Sequence, residues 1–298
     1  MNMAARGWGC RTTIVYPDPG AVASLDDSRF LGHEGPVMPE NNESSFAHVA
    51  DVSCSGPCAR CGVEHTLPGR PAIRAAQQLM RDLEAHGRID FCRPAHEADP
   101  AYSTAPLFGE ARGHMFGVMA FRNADGSTGL VKAFSGQFNG QWLAPGWVGP
   151  LVDVDEFERV NTPGERRVKE LGRMMREHEP GSETYARLRR ERRELSRSLM
   201  AELHGLYRLR DSRGNERCLA QVFGPDRGIP TGTGDCCAPK LLHHAARNGL
   251  VPLGIAEFYW GRSNRSGTRE HGRLYPSCRE KCRPILGFML CGLEELYV

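Results

Sequence analysis

Residues 230–250, PTGTGDCCAPKLLHHAARNGL, set two adjacent thiols, Cys236 and Cys237, between a glycine-rich turn and an apolar periodic segment. Farther along, YPSCREKC places Cys278 and Cys282 four apart. At the start of a helix two such side chains share a face, and the helix dipole favours thiolates there. One thiol of the first pair with both of the second would give Zn2+ three sulfur ligands and leave a fourth position for water. Hydrolysis at such a site needs a group that moves protons, and two carboxylates are placed for it: Asp235, directly before the pair, and Glu257, on the segment that follows.

Other residues offer weaker versions of the same chemistry. Cys54, Cys58 and Cys61 in VSCSGPCARCGVEH follow the spacing C-x3-C-x2-C. They suit a small zinc knuckle completed by His65, or stay unliganded; the spacing also serves iron–sulfur enzymes, but the strand-helix repeats those require are missing. His271, seven residues before Cys278, would close the first site with a fourth protein ligand. His243 and His244 lie on the segment after the cysteine pair and read as packed or solvent-facing rather than ligating.

Several elements must position these groups. Residues 1–69 are rich in Gly, Pro, Ser and acidic residues without a sustained period, which predicts irregular or partly disordered chain. Ile73, Ala76, Leu79, Met80 and Leu83 recur at helical spacing and Gly87 ends the run, predicting a helix from about 71 to 86. In GHMFGVMAFRNADGSTGLVKAFSGQF two apolar runs flank Asp125-Gly126, a strong hairpin pattern. Thr162, Pro163 and Glu165 form a helix start. The helical hairpin they open is expected over 162–210, with its second helix near 183–208. ERCLAQVF reads as a strand, the segment after Cys236 as a helix stopped by Gly249, VPLGIAEFYWG as a strand, and the segment from Cys278 onward as the last helix.

This order of helix, β-hairpin, thiol-bearing helix, strand and second thiol-bearing helix resembles the zinc-dependent nucleobase deaminases. The resemblance implies an α/β or α+β fold, a mixed sheet flanked by helices, with the helical hairpin inserted into a domain spanning 70–298. It also implies that Cys236 or Cys237 is the first zinc ligand and that Cys278 and Cys282 are the others. The deaminase glutamate, two residues after the first ligand, is replaced by Ala238 or Pro239. From about residue 70 onward, and most densely over PTGTGDCCAPKLLHHAARNGLVPLGIAEFYWG and HGRLYPSCREKCRPILGFML, the chain also resembles the region preceding the catalytic domain of long RluA-type pseudouridine synthases. The Arg-Leu-Asp motif of that catalytic domain has only a decoy here, Arg273-Leu274-Tyr275, so uridine isomerisation is not expected.

Composition sets the remaining bounds. With 298 residues, 40% of them hydrophobic, the chain can bury a core, and it has no apolar run of membrane-spanning length and no signal-peptide pattern. A soluble cytoplasmic protein is expected, and its eleven cysteines read as metal ligands or free thiols rather than a disulfide framework. Net charge is only +2, yet Lys132, Lys169, Lys240 and Lys281 are the only lysines among 38 basic residues. Six arginines between Arg187 and Arg197 accompany two glutamates, a pattern that reads as a solvated helix laced with Glu/Arg pairs or as a nucleic-acid surface; in the second reading Arg189, Arg190 and Arg193 make the contact, with RNA as the partner. Two readings follow: a zinc-binding, RNA-associated domain that is non-catalytic or of altered chemistry, and an active zinc-dependent nucleobase deaminase.

Overall fold

The computed structural model of the chain describes residues 52–224 and 228–297. The expectation for residues 1–51 lies outside these. The centre is a four-stranded sheet of β3 (His114–Arg122), β4 (Thr128–Phe134), β7 (Val251–Trp260) and β8 (Leu274–Tyr275), in the order β4-β3-β7-β8. Every neighbouring pair is antiparallel, so the sheet is not the mixed one expected. Because β3 runs against both its neighbours, β4 and β7 point the same way on either side of it, and helix α5 (Cys237–Asn248) lies between them in sequence.

Strand alternation sends successive side chains of β3 to opposite faces. Phe116, Val118 and Ala120 pack with Phe134, Phe258 and Trp260 against Ala72, Ile73, Ala76, Leu79 and Leu83 of α1 (Arg70–His86). Met119 and Phe121 pack with Val131, Ala133 and Ile255 against α5 and α6 (Arg283–Leu290). Both faces of the sheet are therefore dry, which explains why β3 is a continuous apolar run instead of an alternating one. Helices α1 and α5 end where the sequence places their stops, with Gly87 and Gly249 in the left-handed conformation at φ 61° and 63°.

Four local expectations need correction. Residues 53–68 form a β-hairpin, β1 (Ser53–Pro57) with β2 (Glu64–Pro68), although no period marks it. Helix α2 covers Val154–Met175 rather than starting at Thr162: Asp153 caps it by accepting from the Glu156 N–H at 2.9 Å, and Pro163 is carried inside the helix. Its partner α3 (Glu183–Leu206) matches the expected second helix, and the pair has a small core of its own in Leu171, Met175 and Leu188. After the short strands β5 (Arg208–Arg210) and β6 (Glu216–Cys218), residues Leu219–Phe223 turn into helix α4 where a strand was expected, because the Gln221 side chain accepts from the Cys218 N–H at 2.9 Å. The last helix starts at Arg283, not Cys278: Cys282 is its cap and Pro284 sits in its first turn, where a missing N–H costs nothing.

One buried group gives the fold a definite acid response. His114 donates from Nε2 to the Ser135 carbonyl at 2.5 Å among Phe116, Phe134 and Phe138, and burial pushes its imidazole down to about 4. A depressed histidine stays neutral in the folded chain while the unfolded chain takes up a proton, so stability is lost as pH falls from 6.5 toward 4. His243 is lowered similarly and adds a loss of the same sign. Urea titrations over this range should show the His114→Gln variant losing about one proton's worth of slope relative to the parent, on the order of a few kcal/mol over the window. An unchanged slope would show that His114 is not held neutral.

Candidate metal centre

The first thiol cluster forms where three chain segments meet. The turn before α5 uses Gly232 and Gly234 at φ 76° and 94°, a backbone path that other residues resist. It delivers Cys236 as the helix cap and Cys237 as the first helical residue. The two thiols then part company. Cys237 turns into the core and donates to the Met115 carbonyl at 3.4 Å, while the Cys236 sulfur lies with those of Cys278 and Cys282, all within 4.8 Å of one another. A cap residue lies just outside the helix, where its side chain can reach the loop before α6. The next residue is committed to the buried face.

Zn–S bonds of about 2.3 Å in a tetrahedron put sulfurs roughly 3.8 Å apart, so this cluster has the dimensions of a three-thiolate metal site. Its three thiols are coupled to one another. Thiols this close compete for protons: hydrogen bonds from Cys236 and Cys282 pull the Cys278 thiol far down, and the same contact with Cys278 pushes Cys236 up. Backbone N–H groups of Lys281 and Cys282 also aim at the Cys278 sulfur. Among the described residues no fourth His, Cys, Asp or Glu joins the cluster. His271 does not: its ring packs on Trp260 at 4.2 Å between centroids and its Nδ1 accepts from the Gly261 N–H. Cys236 and Cys278 are half-buried and Cys282 is buried.

The two carboxylates proposed from sequence differ sharply in what surrounds them. Glu257 is 3% exposed, and its carboxylate accepts from the Ser277 hydroxyl at 2.6 Å and from the backbone N–H of Ala238. Ala238 stands two residues beyond Cys236, so this bond ties the strand carboxylate to the first turn of α5. Space for it comes from its cross-strand partner Gly117: a Cβ there would stand 2.7 Å from the Cβ of Cys237 and 3.3 Å from the Cγ of Glu257. Burial pushes the Glu257 carboxyl up to about 7, a range suited to taking and giving a proton. Asp235 instead accepts from the Tyr207 hydroxyl at 2.6 Å, with Lys240, Lys281 and His204 in electrostatic range, and its main-chain carbonyl accepts from the Gly136 N–H at 2.7 Å. It fastens the turn beside the cluster. Lys240, pushed down to about 8 by burial, donates to the carbonyls of Phe134 and Gly136 at 2.9 and 2.8 Å and fixes the same turn from within.

A second cluster of donors, Cys58, Cys61, His65 and Cys291, also lies within 4.8 Å and could hold a metal ion. Cys54, grouped with Cys58 and Cys61 by spacing, is not in it. Four residues back on β1 its thiol is buried against Ser277 and Glu257, and burial raises it. Cys291, unconnected to the motif by any local spacing, takes the vacated role.

The arginines expected at a nucleic-acid surface are exposed on α3. Arg189 and Arg193, with Arg192, Arg197 and His204, line a groove of about 970 Å³, and Arg190 is outside that lining. No helix of the described residues is long and apolar enough to cross a membrane. Compared with protein-family models, curated proteins and solved structures, the chain shows no match.

The division of labour between the adjacent thiols is measurable. Cys236→Ser and Cys278→Ser should each remove one equivalent of bound metal per chain in elemental analysis. Cys237→Ala should keep that equivalent and lower stability instead, by about 1 kcal/mol or more for a lost buried sulfur. Metal loss on the Cys237 substitution would reverse the assignment.

Proposed function

We propose that the chain is a zinc-binding, RNA-associated hydrolase of altered deaminase type, in which Cys236, Cys278 and Cys282 hold Zn2+ and Glu257 carries the proton. The observation that supports it most is the pairing of a three-thiol cluster, with Cys236 capping α5, and a buried Glu257 carboxylate bonded to the Ala238 N–H in the first turn of that helix. When bound, Zn2+ supplies Lewis acidity that lowers the pKa of water at its fourth position. The chain's own residues do the rest. Ser277 and the Ala238 N–H orient the Glu257 carboxylate in electrostatic range of Cys278, and its raised pKa would let it accept a proton from water and return it to a leaving amine. Asp235 serves by position rather than by proton transfer, since Tyr207 occupies its carboxylate.

The arginine groove supports RNA as the substrate class, together with the resemblance to the front region of RluA-type enzymes. Guanidinium groups spaced along a helix match phosphates along a strand. His204, one of the residues lining the groove, lies in electrostatic range of Asp235, the residue preceding Cys236. Uridine isomerisation forms no part of the proposal: Leu274 and Tyr275 make the edge strand β8, and a tyrosine stands where the attacking aspartate would be needed.

Two measurements test this reading. The zinc-loaded protein should release ammonia from cytidine or adenosine in single-stranded RNA, and Glu257→Gln should lower that rate at least 100-fold with zinc retained. Full RNA binding without ammonia release would leave a zinc-stapled binding module. Separately, Arg189→Glu with Arg193→Glu should weaken RNA binding and reduce the slope of log K against log salt by about 0.7 for each lost phosphate contact. Arg190→Glu should have the smaller effect, being outside the groove.

A further inference from the structure

We propose that Cys58, Cys61, His65 and Cys291 form a second, closed zinc site that fastens the β1–β2 hairpin to the end of α6. This inference is independent of any activity at the first cluster. Cys58 and Cys61 belong to a tight turn in which the Cys58 N–H donates to the Val63 carbonyl and the Gly62 N–H to the Cys58 carbonyl, both at 2.9 Å, with Gly62 in the left-handed conformation at φ 75°. The turn presents both sulfurs on one side, and His65 on β2 adds a nitrogen, with Nε2 3.1 Å from the Cys61 sulfur. The fourth donor arrives from 230 residues away, the Cys291 sulfur standing 3.9 Å from that of Cys61. All four donor atoms lie within 4.8 Å of one another, close enough to share a metal ion held by three Zn–S bonds and one Zn–N bond.

The surroundings are those of a metal-ligating histidine. His65 Nδ1–H donates to the Glu294 carboxylate at 2.8 Å, which fixes the tautomer and leaves the Nε2 lone pair on the side of the Cys61 sulfur. Arg213 donates to the Cys291 sulfur at 3.1 Å, a cation beside a site that would carry one net negative charge with three thiolates and Zn2+. With four protein ligands there is no place for water, so the role is structural.

The mechanical consequence runs through backbone contacts. A Cβ at Gly56 would lie 2.0 Å from the Arg283 carbonyl oxygen, and one at Gly287 would lie 2.2 Å from that of Pro57, so β1 and α6 touch main chain to main chain next to the site. The same strand accepts from the Ser277 N–H through the Ser53 carbonyl at 3.1 Å, and Ser277 holds Glu257. The second site thus braces the loop that carries Cys278.

Elemental analysis of the purified full chain should give two equivalents of zinc. Cys291→Ser should leave one and remove hydrogen-exchange protection from 53–68, whereas Cys278→Ser should also leave one but keep that protection. Should Cys291→Ser prevent folding, Glu294→Gln provides the milder test: it should keep both equivalents yet release one about 10- to 100-fold more readily to a chelator. A single equivalent in the parent that survives Cys291→Ser, iron in place of zinc, or unchanged chelator release from Glu294→Gln would each overturn the proposal.

Discussion

A carboxylate buried on a central strand has to be compensated, and much of the structure is organised around meeting that requirement for Glu257. Leaving such a group without partners would cost several kcal/mol. Its two partners come from different segments: the Ala238 N–H from the first turn of α5, and the Ser277 hydroxyl from the loop before α6. Ser277 is in turn held by β1. Gly117 opposite must lack a side chain for Glu257 and Cys237 to fit side by side. The thiols of Cys236 and Cys278 are carried by the same two segments, so the bonds that solvate the carboxylate also bring the sulfurs together.

The sheet and its helices were largely legible because their signals are local. The period of Ile73, Ala76, Leu79 and Leu83 specifies one helix face, Gly87 and Gly249 stop their helices, and Asp125-Gly126 marks the reversal between β3 and β4. The start of α2 was also written locally, as Asp153 with Glu156 three residues on. Thr162-Pro163 offers a rival pattern that the structure carries instead in mid-helix. Which of two rival caps is used depends on where the preceding chain leaves the body, and no window of sequence holds that information.

The thiol cluster was legible in its sulfurs and not in their surroundings. Cys278 and Cys282 come together as expected, but by way of a loop instead of a helix face. Adjacency of Cys236 and Cys237 conceals a difference that only the helix boundary creates. Cys54 and Cys291 show the same limit from the other side: a spacing suggested the wrong third sulfur, because strand β1 carries Cys54 inward while the chain end brings Cys291 over from 230 residues away. The one detectable hint was the thiol of Cys291 beside two acidic residues in CGLEEL, one of which holds His65.

The separate core of the α2–α3 pair has a consequence for how this architecture can vary. Leu171, Met175 and Leu188 pack within the pair and not into either face of the sheet. An arm stabilised by itself can be lengthened or shortened in whole helical turns without disturbing the body, each heptad added to both helices moving its tip by about 10 Å. Chains built on this plan could therefore keep the body and its thiol clusters and change only the reach of the arm, which makes arm length a variable set apart from the sheet.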